Sequence, residues 1–493
     1  MAAHGSVCLN DPATPPPQSA PLTPDLCVIG AGTGGLAFAT AAAAFGVAIV
    51  VVERDRMGGD VGDAVIEALA AAGARAQAVR EARRFGIVAA EPEIDDAQLH
   101  DHIQRVLTAQ APNVSAERLT ALGATVLRGE ARFVSRSTVV VADQAIRARR
   151  FVIATGARTV APAIAGLDGI PHLSVADLAA LTRRPERLIV LGGQATGVAI
   201  AQAMRRLGSQ VELVDEGDLL RREDPEAVAS LRRTLLREGL ALHERAMIER
   251  VERAKGGVRL IIGDGASGSE RTIEGTHLLL AGPAQPAIDG LDLELAGIRR
   301  GPDGIQVDRG LRCTNRRVYA IGDCAGRAPG SVGGGHVAEE QARLVLRNAL
   351  FRQPGAFASM AVPQATRTFP AIARVGLSEA DALENGPVRI LRWPYAESAR
   401  AQAERTTDGF VKLITDAKGK LLGASIVGAQ ADELIATIGL ALKREMSAAE
   451  LAELLAPWPS LSEVSKRAAA SFLVPLATKP LLRRIIGILR RFG

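Results

Sequence analysis

Two stretches of this chain carry the same four-part pattern: an apolar strand, a glycine-rich turn, a small-residue helix and a second apolar strand ending in an acid. The first reads DLCVIGAGTGGLAFATAAAAFGVAIVVVER from Asp25, and the second RLIVLGGQATGVAIAQAMRRLGSQVELVDEG from Arg187. Strands joined through a helix run parallel, and parallel sheets occur where both faces are covered. The duplicated unit therefore predicts an α/β fold with two Rossmann-like dinucleotide-binding domains. A chain of 493 residues is too long for one core. Hydrophobic residues at 47% and charged residues at 23% are ordinary for a folded protein, and 3% aromatics leave alanine, valine and leucine to fill the interior.

In the first unit Gly30 permits a tight turn, Gly32 lets backbone approach a pyrophosphate, and Gly35 lets helix and strand pack closely. The helix N-terminus then presents free N–H groups and a positive dipole end to phosphates. Glu53 ends the next strand, 23 residues after Gly30, where an acid holds a ribose diol. The second unit has Gly192, Gly193 and Gly197, with Asp215 ending its strand. Gln194 takes the middle glycine position and crowds the phosphate approach, so this unit reads either as a nucleotide site or as its structural relic. Asp215 would accept a free 2′-hydroxyl and repel a 2′-phosphate, which favours NADH over NADPH.

A third motif, TNRRVYAIGDCAG at 314–326, is a strand ending in Gly-Asp that places Asp323 against a polyol. With two dinucleotide motifs before it, it resembles the flavin-ribityl motif of the pyridine nucleotide-disulfide oxidoreductases, the family of dihydrolipoamide dehydrogenase and mercuric reductase. The resemblance covers residues 25–470. Ala154-Thr155-Gly156 is similar to the family's turn between its FAD and NAD domains, and HVAEEQARLVLRNALF from His336 to the helix that faces the flavin pyrimidine. Val362-Pro363, followed by RTFPAIARVGLSEADA, resembles the start of the interface domain.

The resemblance implies FAD, a nicotinamide nucleotide, and a homodimer in which the second chain completes the active site. It implies a divided FAD domain at 25–160 and 285–355, an NAD(P) domain at 161–284 and an α+β interface domain at 361–470. It also implies cofactor contacts for Gly59, Gly129, Ala131, Thr155, Gly156, Gly282, Asp323, His336, Val337 and Ala338.

Against the family's GG(T/D)CLNxGCxPSK this chain has Met57-Gly58-Gly59-Asp60-Val61-Gly62-Asp63-Ala64-Val65-Ile66-Glu67. The simplest alignment deletes the first cysteine, puts Asp63 at the flavin-proximal cysteine and Glu67 at the lysine. That lysine's usual glutamate partner is here Ala199, so both halves of an ion pair are lost together. In the family's HPTxSE the histidine is here Trp458, while Glu463 remains, and no histidine follows His336. The four cysteines, Cys8, Cys27, Cys313 and Cys324, form neither CxxC nor CxxxxC, so neither a zinc site nor a local redox disulfide is written here. Cys313 and Cys324 read as buried structural residues. Thiol exchange needs a thiolate and Hg(II) reduction needs soft sulfur ligands, so neither runs by the family route.

Residues 1–24 hold six prolines and read as a disordered leader. They show no signal peptide, and cysteine usage fits a reducing cytoplasm. Seven Lys and Arg and no acid follow Glu463; without these seven, the net charge of +5 becomes −2, which gives no reason to expect nucleic acid. In KPLLRRIIGILRRFG, residues 479–493, one helical arc carries Leu481, Leu482, Ile485, Ile486, Ile488, Leu489 and Phe492, and the other Arg483, Arg484, Arg490 and Arg491. Such a helix suits an anionic membrane surface or packs on its own dimer. The expected function is an FAD-dependent NAD(P)H oxidoreductase passing electrons to a small non-thiol acceptor, a quinone among the choices. Asp63, Trp458 and Glu463 are its candidate catalytic residues. The alternative is a non-catalytic flavin-binding scaffold or redox sensor.

Overall fold

The computed structural model describes residues 20–263, 270–326, 333–357, 361–478 and 480–491. The first unit supplies β1 (Leu26–Ile29), α1 (Thr33–Ala44) and β2 (Ile49–Glu53), followed by helices α2 (Gly62–Glu81), α3 (Asp96–Gln110) and α4 (Ala116–Ala121). Strands β3 (Thr125–Arg128), β4 (Ala131–Ser135), β5 (Thr138–Val141), β6 (Gln144–Ile146), β7 (Arg150–Ile153) and β8 (Ala157–Thr159) come next. Later in the chain β19 (Val318–Ala320) completes a parallel sheet of order β19-β7-β1-β2-β3. Side-chain alternation along a strand explains its continuous apolar runs. Leu26, Val28, Ile49 and Val51 face a core shared with α1 and with α7 (Gly335–Leu350). Cys27, Ile29, Val50 and Val52 face a second core, closed not by helices but by the antiparallel sheet β4-β5-β6. The run ATVLRGEARFVSRSTVVVAD, hairpin-like as a sequence, divides between two sheets. Thr125–Arg128 extends the parallel sheet beside β2, and only β4 and β5 form the hairpin.

The second unit repeats the plan. Strand β9 (Arg187–Leu191), helix α5 (Ala195–Arg206), β10 (Gln210–Val214), α6 (Pro225–Arg237), β11 (Ala241–His243) and β15 (His277–Leu280) build a parallel sheet of order β11-β10-β9-β15. Leu188 and Val190 face the helices, and Ile189 and Leu191 face an antiparallel sheet of β12 (Met247–Ala254), β13 (Gly257–Gly263) and β14 (Glu270–Gly275). Short pairs link the return to the first domain: β16 (Ala284–Pro286) with β8, then β17 (Arg300–Gly301) with β18 (Gly304–Ile305).

The C-terminal α+β domain is an antiparallel sheet of order β20-β21-β24-β23-β22, from β20 (Gln364–Ala365), β21 (Ala371–Gly376), β22 (Val388–Pro394), β23 (Phe410–Asp416) and β24 (Leu421–Gly428). Helices α8 (Glu379–Glu384), α9 (Ala399–Ala403), α10 (Ala431–Lys443), α11 (Ala448–Ala452) and α12 (Ser462–Ala470) accompany it. The chain then forms α13 (Pro480–Leu489), where Ile485, Ile486, Ile488 and Leu489 are exposed; the side chains of Leu481, Leu482 and Phe492 lie outside the described residues. Among the described residues no helix is long and apolar enough to cross a membrane. At the other end residues 1–19, with Cys8, also lie outside the description. Residues 20–24, assigned to the leader by composition, include part of the fold: Leu22 bridges Ile146 and packs on the second core. An apolar residue with a strand edge beside it docks despite flanking prolines.

Charged contacts tie the C-terminal domain to the second Rossmann domain. Lys412 on β23, 3% exposed, meets Asp224 at 2.8 Å, Glu226 at 2.9 Å and Glu379 at 3.1 Å. Arg374 meets the buried Glu223 at 3.2 Å. Removing Lys412 would leave Asp224 buried without its cation. Lys412→Met is therefore expected to lower the stability read from urea unfolding by about 3 kcal/mol. A Lys412→Met/Asp224→Asn double variant should recover part of that loss.

Candidate active site

Gly30 has φ +99°, and a Cβ there would stand 2.5 Å from the Ala154 carbonyl oxygen; one on Gly35 would stand 1.9 Å from that of Gly30. Contacts inside the protein fix these two glycines. Gly32 is different, because the nearest atom to an added Cβ is Gly59 Cα at 4.0 Å. Space is open there, and α1 has neither a side-chain cap nor an acid in its first turn. Its orphan N–H groups are left for an anion. Across the turn Glu53 is buried, and its carboxylate accepts the Ala31 N–H at 2.5 Å and the Asp55 N–H at 2.8 Å. Gly129 donates to the Glu53 carbonyl at 3.0 Å, with Ala131 buried two residues on.

Other segments converge on the same turn. Gly58 donates to the Ala31 carbonyl at 2.8 Å, so the lead-in to α2 crosses over Gly32. Thr155, between Ala154 and the left-handed Gly156, has a buried hydroxyl beside this turn, next to the Cys324 thiol. Ile321 donates to the Ile153 carbonyl at 2.9 Å, which sets Asp323 at the end of β19. The α7 N-terminus abuts that of α1: Ala338 Cβ lies 2.9 Å from where a Gly34 Cβ would be, and Gly335 faces Thr33. The His336 ring meets the Pro363 carbonyl at 2.9 Å, so its side chain serves the join to the C-terminal domain. Helix N–H groups, rather than an imidazole, are what His336, Val337 and Ala338 offer the cleft. These residues fit a dinucleotide running from Glu53 past Gly32 toward α7.

The second turn copies the first. A Cβ on Gly192 would stand 2.4 Å from the Ala281 carbonyl oxygen, and one on Gly197 1.8 Å from that of Gly192. Gly282, next to Ala281, has no atom within 4 Å of an added Cβ. Asp215 accepts the N–H groups of Gly193 and, at 2.7 Å, Gly217. Gln194 is the extended N-cap of α5, and its amide reaches the Asp218 carbonyl at 3.4 Å, which turns the side chain toward the 215–218 loop.

At α2 the Asp60 carboxylate accepts the Gly62 N–H at 2.9 Å and starts the helix. Asp63 is exposed in its first turn, and Glu67, one turn on, pairs with Arg367 at 2.5 Å. The sequence gives no local sign of that partner, which comes from another domain. Ala199 is buried in α5, packed in the core that α2 and α5 share. Cys27, Cys313 and Cys324 are free and no more than 5% exposed. Burial pushes the Cys27 thiol up to about 12 and raises Cys313 and Cys324 as well. None of the three is a thiolate at neutral pH. Among the described residues no His, Cys, Asp and Glu cluster is arranged to hold a metal. Trp458 is 75% exposed in the loop before α12, and Glu463 is held by Arg467 of its own helix at 2.6 Å.

Comparison with known proteins agrees with this architecture. Residues 24–342 match the pyridine nucleotide-disulphide oxidoreductase family, and residues 362–469 match its dimerisation domain. The chain is 34% identical over 469 residues to a mercuric reductase of Streptomyces lividans, covering 92% of this chain and 97% of that one. It is 33% identical over 468 residues to a dihydrolipoyl dehydrogenase of Thermus scotoductus, covering 91% and 97%. The crystal structure of LpdA from Mycobacterium tuberculosis superposes with a TM-score of 0.81 at 27% identity, covering 92% of this chain and 99% of that one. The site and fold define an FAD-dependent pyridine nucleotide oxidoreductase. The chain belongs to the pyridine nucleotide-disulphide oxidoreductase family, whose members use FAD and NAD(P)H. Its dimerisation domain supports a homodimer.

Thiol burial is directly measurable. A Cys8→Ser variant titrated with Ellman's reagent should show no fast-reacting thiol when folded and three in guanidinium chloride. A fast native thiol would mean that the one core enclosing all three opens to solvent.

Proposed function

We propose that this protein is a homodimeric FAD-dependent NAD(P)H oxidoreductase that delivers electrons directly to a small non-thiol acceptor, with a quinone the favoured class. The observation that carries this reading is the exposed carboxylate of Asp63 at the start of α2, where the family has a thiol, together with burial of every described cysteine. In this reading Gly30, Gly32, Gly35, Glu53, Gly59, Gly129, Ala131, Thr155, Gly156, Asp323 and residues 336–338 hold FAD. Gly192, Gly193, Gly197, Asp215 and Gly282 hold the nicotinamide nucleotide, with Asp215 favouring NADH.

FAD held by these residues would supply the redox chemistry, hydride uptake from NAD(P)H and two-electron return to the acceptor. For a quinone the balance is NAD(P)H, one proton and quinone giving NAD(P)+ and quinol. In this reading Asp63 passes that proton or solvates the space a thiol would fill. Trp458, exposed on the dimerisation domain, and Glu463 serve the partner's site, the tryptophan as an aromatic wall. A second reading, a flavin-binding sensor without turnover, is favoured by Gln194 and Ala199, which remove a glycine and a charge from the nicotinamide side.

Anaerobic stopped-flow absorbance separates the two. NADH is expected to bleach the flavin; a water-soluble quinone should then restore the yellow colour, and lipoamide or Hg(II) should not. A flavin that neither NADH nor NADPH bleaches would leave the sensor, and rapid reoxidation by lipoamide would overturn the non-thiol acceptor. Gln194→Gly should tighten NADH severalfold, on the scale of one relieved steric contact, without changing FAD content.

We also propose that α13 rests on an anionic bilayer at the inner face of the membrane. Its exposed isoleucines and leucine share the helix with Arg483 and Arg484, and Arg490 and Arg491 follow it. Co-sedimentation with phosphatidylglycerol vesicles, but not phosphatidylcholine vesicles, is expected, with loss on changing the four arginines to glutamine. Equal sedimentation with both lipids, or none with either, would remove the membrane from the account.

A further inference from the structure

A three-residue ion network joins α2 to the C-terminal domain. Glu67 stands in the second turn of α2, four residues after Asp63 and therefore on the same helix face. Its carboxylate receives Arg367 Nε at 2.5 Å, and Arg367 Nη1 reaches Asp432 Oδ2 in the first turn of α10 at 3.0 Å. Arg367 lies just past β20, whose Gln364 contacts the His336 ring at 3.3 Å. Residues 363–367 therefore run from the N-terminus of α7 to the second turn of α2. Both of these helix ends belong to the proposed FAD cleft, since the lead-in to α2 crosses Gly32 and α7 abuts α1.

Arg367 and Glu67 are each 49% exposed on their side chains, and Asp432 28%. Ion pairs that wet add little to stability. The network's greater consequence is electrostatic. Asp63, Glu67 and Asp432 put three carboxylates along this strip, and Arg367 is the cation that holds two of them. A long side chain gripped from two directions is a fixed charge, and a fixed charge at a cleft acts more strongly than one free in solvent.

We propose that Arg367 is a positioning residue for electron transfer: clamped by Glu67 and Asp432, it offsets the acids of this strip and thereby sets how readily the bound flavin is reduced. The proposal rests on the FAD reading of the first site.

Arg367→Gln, Arg367→Lys and Glu67→Gln are purified with their flavin and equilibrated anaerobically with a reference dye, and the ratio of reduced to oxidised flavin is read spectroscopically. Arg367→Gln leaves the carboxylates unopposed and is expected to lower that ratio roughly fivefold, as one partly screened unit charge at cleft distance would. Glu67→Gln is expected to raise it by a similar factor, and Arg367→Lys to stay near the wild type. Unfolding midpoints should move little. Unchanged ratios in all variants with normal FAD content would overturn the proposal. So would shifts of one sign accompanied by a lower unfolding midpoint, the mark of a merely structural tie. A wild-type chain that purifies without FAD and takes up none would fail earlier, and would sink the functional reading along with this one.

Discussion

At both nucleotide turns the main chain passes so close to itself that no side chain is tolerated. An added Cβ at Gly35 or at Gly197 would lie under 2 Å from the carbonyl oxygen that opens the same turn. Gly30 and Gly192 in turn press against the carbonyls of Ala154 and Ala281, each at the end of a neighbouring parallel strand. This backbone contact docks helix, turn and adjacent strand end at one point. It leaves the α1 N-terminus open above Gly32, and it brings Thr155 and Asp323 to the same edge. Cofactor geometry and sheet packing therefore have one cause, and substitutions there cannot alter one without the other.

Thiols and carboxylates are held in different surroundings. A buried thiol in an apolar core keeps its proton, and Cys27, Cys313 and Cys324 all sit in such surroundings beneath the first sheet. At the start of α2 the chain carries an exposed carboxylate, Asp63, and a second, Glu67, follows one turn later. Two acids on one exposed face repel unless a cation answers them. The answer comes from Arg367, and Glu463 is likewise taken up by Arg467 of its own helix. At each of the two places an arginine closes a carboxylate.

Much of the fold was legible because it depends on local pattern. The turns at Gly30 and Gly192 are bounded by strands whose unbroken apolar runs announce burial on both faces, and Glu53 and Asp215 end strands at the expected places. The cover on the second face was not legible. Short strands such as β4–β6 and β12–β14 alternate weakly and give no sign of which sheet they close. Thr125–Arg128 shows this: its residues suit a hairpin or a parallel edge equally, and pairing with β2 decides. Leu22 was hidden by the prolines around it, since composition averages over a single docking residue.

The candidate site divides along the same line. Glycines, acids and the Gly-Asp turn are identified by spacing, because the chain itself brings them together within one unit. Arg367, Lys412 and Arg374 are not, because each meets acids far away in sequence, and an arginine or lysine in a run reads only as solvated surface. Their partners show a common purpose. Lys412 and Arg374 join the C-terminal sheet to the segment opening α6, the backbone of Phe369 is bonded to Gln202 of α5, and Arg367 reaches α2. The C-terminal domain therefore packs Ile372, Phe410 and Val427 into the core of the second Rossmann domain, frames that contact with charged and polar groups, and reaches α2 through Arg367. Polar joins depend on geometry more than area, so they fix relative orientation sharply while adding modest net stability. A two-cofactor enzyme needs that: the two turns are built alike, and what distinguishes a working pair from two separate binding sites is the angle at which a third domain holds them.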